Sequence, residues 1–213
     1  MDLGDIRKQY TQGRLDETTA ADNAMTQFHA WFEAYRASEP LEPTIMTLAT
    51  VDEHAQPWQR VVLLKAYDGD GFIFFTNYDS HKGQHLAHTP KASLHFFWIE
   101  QERQVHVQGT VEKLDRSAAE AYFHSRPRES QLGAWASQQS RPLRDRAELE
   151  ARFYELTEQF ADQEIPLPDY WGGYRVRPNR LEFWQGGEHR LHDRLEYVRE
   201  GQDDAWRKQR LNP

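Results

Sequence analysis

The sequence predicts a mainly β protein with helices inserted, built as a single antiparallel barrel that is closed or split. Three observations carry this. Short runs rich in β-branched and aromatic residues recur at close spacing. Turn-forming stretches, DEHAQP at 52–57 and DGDG at 68–71, separate neighbouring runs as hairpin connections do. No internal repeat is visible, so the strands belong to one domain.

The elements follow in order. Residues 1–20 are polar and without a clear period, and read as an arm that is mobile or orders on a ligand or partner; residues 21–213 read as one domain. Met25, Phe28, Phe32 and Tyr35 recur at helical spacing, which predicts an amphipathic helix over 22–37. TIMTLATV (44–51), WQRVVLLKAY (58–67) and FIFFTN (72–77) predict strands. SHKGQHLAH (80–88) predicts a short helix with Ser80 as its N-cap. ASLHFFWI (92–99) and RQVHVQGTVEKL (103–114) predict another strand pair. Asp115 is placed to cap a helix running to about Ser125, and Pro127 stops it because the residue before a proline avoids helical geometry. Residues 144–161 predict a second strong helix. WGGYRVRP, RLEFWQ, HRLHDRLEYVR and DAWRKQRL predict four more strands.

Composition narrows the function classes. The chain has 213 residues, 38% hydrophobic and 13% aromatic, enough for one full core and too much for general disorder. Mean hydropathy is −0.91 and no apolar run approaches a membrane span. The N-terminus MDLGDIRKQY lacks the pattern of a secretory signal. The chain contains no cysteine, which rules out disulfides, thiolate metal sites and cysteine nucleophiles and fits a reducing cytoplasm. A net charge of −8 disfavours non-specific nucleic-acid binding, so an anionic ligand requires a local basic pocket.

Several stretches have that local character. After a Gly-Gly pair and Trp184, four basic or titratable residues crowd together: His189, Arg190, His192 and Arg194. If Glu188 to Val198 is a returning strand, Arg190, His192 and Arg194 share one face and Leu191 lies on the other. That face either spreads its positive groups into water or surrounds an anion or an aromatic ring. A zinc site on His189 and His192 lacks a third nearby ligand. RVVLLK, Arg60 to Lys65, reads as an apolar strand between two cations. SHKG (80–83) offers a helix N-terminus and Lys82 to a phosphate. Tyr122 and Arg126, four apart at a helix end, and Ser130 after the proline combine a phenol, a guanidinium and a hydroxyl. That set suits a phosphate monoester, or a surface turn in which arginine pairs with Glu129. No Walker loop, dinucleotide fingerprint or nucleophile elbow is present.

Taken together, QRVVLLK, FHSRPRESQLGAW, PDYWGGYRV and EFWQGGEHRLHDR resemble, in order and approximate spacing, the pyridoxamine 5′-phosphate oxidase family, and the resemblance runs from about IRKQY to the terminal RLNP. It implies an FMN-binding split barrel, a homodimer with FMN at the subunit interface, and a cytoplasmic enzyme without nucleic-acid or membrane partners. The cofactor contacts it implies are Arg60, Val61, Val62, Leu63, Leu64, Lys65, Phe75, Thr76, His81, Lys82, Gln104, Gln139, Ser140, Trp184 and Arg194. The substrate contacts it implies are Lys65, Tyr122, Arg126, Ser130, Arg190, Leu191 and His192, with the arm residues Arg7, Lys8, Gln9 and Tyr10 closing over the substrate. Arg190 and His192 carry the catalytic assignment, and no metal is implied. Two positions depart from the family's habit: His81 stands where arginine is common, which makes phosphate affinity pH-dependent, and Phe75 stands where tyrosine is frequent.

The implied reaction oxidises pyridoxamine or pyridoxine 5′-phosphate to pyridoxal 5′-phosphate and reduces O2 to H2O2. Two other readings remain at this point. A split-barrel flavin reductase using a nicotinamide donor would not need the phosphate set at 122–130. A protein that stores FMN or pyridoxal phosphate would not need Arg190 and His192 beside a substrate. Peroxide formation with pyridoxamine phosphate separates all three.

Overall fold

The computed structural model describes residues 3–5, 8–201 and 205–213. Among these residues nine strands form one antiparallel sheet: β1 (Ile45–Val51), β2 (Pro57–Leu63), β3 (Ala66–Asp68), β4 (Gly71–Asn77), β5 (Lys91–Trp98), β6 (Arg103–Lys113), β7 (Trp171–Gln185), β8 (Asp193–Val198) and β9 (Arg207–Leu211). The strand order is β2-β1-β5-β6-β7-β4-β3, and β8 followed by β9 branches from β7. The helices are α1 (Ala24–Arg36), α2 (His81–His88), α3 (Arg116–Ser125), α4 (Arg128–Ala136) and α5 (Arg146–Gln159). No described helix is long and apolar enough to cross a membrane.

The sheet splits at β7. This strand pairs with β6 along most of its length, with β4 through Trp171–Val176 and with β8 through Arg180–Gln185. The sequence reading broke it into two strands at Pro178. The chain continues because the register slips by one residue there, between Gln108 and Gly109 of β6. The slip leaves Asn179 outside the β6 ladder, where its carbonyl accepts the Arg199 amide instead. Gly109 makes the bulge possible, since a Cβ there would lie 2.1 Å from the Arg177 carbonyl oxygen.

Helix α1 packs its apolar side into the main core. Asn23 caps it by accepting the Met25 and Thr26 amides. Its apolar stripe buries Met25, Phe28, Trp31 and Phe32. The Phe28 ring meets Phe32, Tyr67, Phe72, Phe96 and Trp98 at centroid distances of 4.8–6.1 Å. A second, smaller core lies under α3 and α4, where Ala119, Phe123 and Leu132 pack with Phe160, Ile165, Leu167 and Trp171. Residues 8–20 lie against the barrel, with Leu15 and Ala20 in the main core.

Other expectations are corrected. WQRVVLLKAY divides into β2 and β3 around Leu64 and Lys65. Asp115 precedes α3 but makes no side-chain cap bond. Helix α4 follows Pro127 where a turn was read. The largest correction concerns 188–198. Glu188–Arg190 form a 3-10 turn with His189 and Arg190 left-handed (φ 55° and 67°), and only Asp193–Val198 is strand. Arg190, His192 and Arg194 therefore share no strand face, and Leu191 is 71% exposed.

Candidate active site

The predicted site residues fall into two groups. The first surrounds a cavity of about 670 Å³ between the β2 edge, β4 and the α3–α4 corner. Arg60, Val61, Val62, Leu63, Lys65, Phe75, Thr76, Lys82, Tyr122, Arg126, Ser130 and Gln139 all line it. Local folding explains the convergence. β2 is an edge strand, so Arg60 to Leu63 stay open on one side. Ser80 caps α2 by accepting the Gly83 amide, which sets Lys82 in the first turn. Arg126 ends α3 in extended geometry because Pro127 follows.

Four cations, Arg60, Lys65, Lys82 and Arg126, line this cavity with no carboxylate among the lining residues. Lys82 Nζ donates to Gln139 Oε1 at 2.6 Å, and the Thr76 hydroxyl donates to the same oxygen at 3.3 Å. Burial, with Arg60 nearby, pushes the Lys82 ammonium down to about 8. Arg60 Nη1 donates to Thr50 Oγ1 at 2.7 Å and to the Leu48 and Trp58 carbonyls, and Thr50 Oγ1 lies 3.0 Å from His85 Nδ1. Arg126 Nη2 donates to the Ser130 carbonyl at 2.8 Å, its guanidinium lies 4.7 Å from the Trp171 ring centroid, and its Nη1 is buried without a hydrogen-bond partner. Phe75 and Tyr122 stack at 3.9 Å, with Trp171 stacked next to Phe75 at 5.6 Å. A buried guanidinium nitrogen left unpaired among uncompensated cations fits an anion such as a phosphate ester.

The second group gathers at the far end of β7. Tyr10 lies edge-on to Trp184 and to His192, each at 5.7 Å. His192 Nδ1 accepts the Gly187 amide at 3.1 Å, so the neutral ring carries its proton on Nε2. Burial, then the Arg190 charge, lowers its pKa. Lys8, Gln9 and Tyr10 face Gly187, His189 and Arg190 across a pocket of about 380 Å³. Gln104 and Trp184 pair across β6 and β7.

Four predicted residues sit elsewhere than expected. Leu64 is buried in the core. His81 packs its ring on Trp58 at 5.3 Å and does not line the cavity. Ser140 is exposed in left-handed geometry (φ 72°) beside Gln139 and is not a lining residue. Arg194 is already paired with Glu182 at 2.8 and 3.0 Å. Arg7 lies outside the described residues. The sequence reading missed Thr50, His85, Trp171 and Glu102. Trp171 stood in the quoted PDYWGGYRV, but nothing in the sequence pairs Thr50 with Arg60.

The two groups do not meet within one chain. Phe75 pairs with Gly173, and Gln104 with Trp184, eleven residues further along β7. At about 3.3 Å per residue that is roughly 36 Å of strand. The outward sheet face joins them: it carries Ile45, Val61 and Leu63 at the β1–β2 edge, Phe97 in the middle, and Gln104, Trp184 and Arg194 beyond. Val61 is 63% exposed and Phe97 52%, an apolar character typical of an interface.

The fold and the first cavity define a split-barrel protein with a four-cation, carboxylate-free pocket. The comparisons with known proteins narrow this class. Residues 22–160 match the family described as pyridoxamine 5′-phosphate oxidase, and residues 171–213 match the pyridoxine 5′-phosphate oxidase C-terminal dimerisation region. A pyridoxine/pyridoxamine 5′-phosphate oxidase of Vibrio cholerae is 53% identical over 213 residues, covering all of both chains. The structure of PhzG from Burkholderia lata, solved with tetrahydrophenazine-1-carboxylic acid, is 30% identical, with a TM-score of 0.86 over 92% of this chain and 95% of that one. A pyridoxamine 5′-phosphate oxidase-related, FMN-binding protein of Nostoc punctiforme shares the fold at 17% identity, with a TM-score of 0.69 over 92% of this chain and 99% of that one. The chain belongs to the pyridoxamine 5′-phosphate oxidase family.

Proposed function

We propose that the protein is an FMN-dependent oxidase that converts pyridoxamine 5′-phosphate or pyridoxine 5′-phosphate to pyridoxal 5′-phosphate. The amine, water and O2 yield the aldehyde, ammonia and H2O2; the alcohol and O2 yield the aldehyde and H2O2. The observation that carries this reading is the four-cation cavity with its unpaired, buried Arg126 Nη1.

When bound, the flavin supplies the redox chemistry, accepting a hydride from the substrate carbon and delivering two electrons to O2. The chain's own residues bind and orient. Arg60 and Lys82, with Thr76 and Gln139, hold the FMN phosphate. Lys65, Tyr122, Arg126 and Ser130 hold the substrate phosphate. The absence of a dinucleotide fingerprint favours FMN over FAD. Arg190 and His192 orient the pyridine ring and stabilise charge near the reacting carbon, with the His192 Nε2 proton available for donation. They come from the second copy of a homodimer, because in one chain they lie far from the phosphate cavity. The outward sheet face is the contact, and the matched dimerisation region spans its β7–β9 side.

The test is an absorbance spectrum of the purified protein before and after anaerobic addition of pyridoxamine 5′-phosphate, followed by a peroxide assay in air. Flavin bleaching and peroxide are expected. A protein that binds no flavin, that yields FAD on extraction, or whose flavin is not reduced contradicts the proposal.

A further inference from the structure

Glu102 sits in the β5–β6 connection, where the sequence IEQERQ looks like an exposed polar turn. It is instead 2% exposed, and its backbone is left-handed (φ 54°, ψ 41°). A non-glycine residue rarely adopts that conformation unless its surroundings hold it there. A buried carboxylate also requires donors. Here they come from a segment about ninety residues away. Oε2 accepts the Thr11 amide at 2.7 Å and the Gln12 amide at 3.0 Å. Oε1 has no aligned hydrogen-bond donor and is balanced by the Lys8 ammonium at 3.0 Å. Burial alone would raise the carboxyl pKa, yet the Gln12 amide, Lys8 and the Thr11 amide hold it below its ordinary value.

The backbone of Glu102 reaches the other wall of the same pocket. Its carbonyl accepts the Gly186 amide at 2.8 Å and Gln185 Nε2 at 3.3 Å. Tyr10 lies directly over Gly186, so close that a Cβ at 186 would stand 2.8 Å from the Tyr10 Cβ and Cγ. One residue thus ties the Lys8–Gln12 segment to the turn that presents Arg190 and His192.

From this arrangement we infer that Glu102 is a positioning residue, the latch that holds the Lys8–Tyr10 wall of the substrate pocket against the Arg190–His192 turn. It touches neither substrate nor cofactor. It acts by ordering the segment before the substrate arrives, which lowers the cost of closing the pocket. The inference rests on reading this pocket as the substrate side of the site.

The test uses the full-length, flavin-loaded protein with the near-isosteric Glu102→Gln, and Glu102→Ala beside it. Chymotrypsin is the direct probe, because the Tyr10–Thr11 bond carries one of the two latched amides. Loss of a charge-assisted hydrogen bond corresponds to about tenfold or more in an equilibrium. Cleavage at Tyr10–Thr11, which tracks the open population, is expected to accelerate by about that factor. KM for pyridoxamine 5′-phosphate should rise by about tenfold, with kcat and bound flavin within about twofold of the parent. Lys8→Met should accelerate cleavage in the parent and add nothing in the Glu102→Gln background, since both act through one ion pair. Parental cleavage and parental KM in Glu102→Gln overturn the inference, as does a loss confined to kcat. If the parent does not oxidise pyridoxamine 5′-phosphate, the proposed function fails, and the protease result alone decides the latch.

Discussion

Lys82 and Arg126 show what burial does to single cations of the four-cation cavity. Lys82, held down to about 8 by burial and by Arg60, is still charged at neutral pH. An unfolded chain binds more protons than the folded one between that value and the ordinary lysine value, so the ligand-free fold gains stability as pH rises through this window. A bound phosphate does the opposite and stabilises the ammonium. FMN affinity should thus fall above about pH 8 by up to about tenfold per pH unit, while riboflavin, which lacks the phosphate, shows no such fall. Parallel profiles for the two flavins would remove Lys82 from the phosphate site. Arg126 is the complementary case. One arm of its guanidinium is fixed by the Ser130 carbonyl, and the other is buried and unpaired. Arg126→Leu should weaken pyridoxamine 5′-phosphate binding by about one to two orders of magnitude. Flavin content should be unchanged. Steady-state KM and the flavin absorbance per chain measure the two effects, and an unchanged KM would make Arg126 a surface-turn residue.

At the scale of elements, α1 packs into the main core through a ring cluster that centres on Phe28. Phe28→Ala should destabilise the fold by about 3–5 kcal/mol, read from chemical denaturation. A cost under about 1 kcal/mol would mean that the barrel closes without the helix. This helix was legible from Met25, Phe28 and Phe32 because their spacing is set by the same core that buries them. Most strands were legible for the same reason. What stayed hidden was decided by tertiary contacts. The continuity of β7 through Pro178 depends on a bulge opposite Gly109, which no local pattern encodes. Helix α4 was hidden because Pro127 reads as a helix stop followed by a turn. Arg190, His192 and Arg194 alternate as on one strand face, yet His189 and Arg190 turn left-handed, at a cost on the order of 1 kcal/mol or more each. That geometry is held by the Gly187 amide on His192 and by contacts of the arm, neither visible in the stretch itself. That Tyr122, Arg126 and Ser130 come together was legible from their spacing, and all three line one cavity. The buried neighbours, Thr50, Trp171 and Glu102, were not legible, because their contacts exist only once distant segments meet.

At the scale of the whole molecule, the separation of the two residue groups along β7 makes a specific demand on assembly. A two-fold axis on the outward sheet face would lay the Val61 edge of one copy near the Trp184–Arg194 end of the other, forming two identical sites per dimer, each from both chains. Flavin binding and dimerisation would then be linked, with dilution releasing flavin as subunits part. Complementation is the sharper measurement. Arg126→Leu damages only the cavity half of a site and Arg190→Met only the turn half. In a mixed dimer, one site receives both substitutions and the other receives neither. Co-expressing the two variants in equal amounts gives half of the dimers as mixed, so roughly a quarter of parental activity per chain should return, although each variant alone is impaired. Differently tagged chains purified through both tags isolate the mixed dimer, which should regain about half of the parental activity and hold one parental-affinity substrate site per dimer. If each site were built within one chain, every chain in the mixture would still carry one damaged half, and no activity would return. That outcome would require the 36 Å or so of β7 between the two groups to be spanned inside a single subunit, and would exclude the interface site.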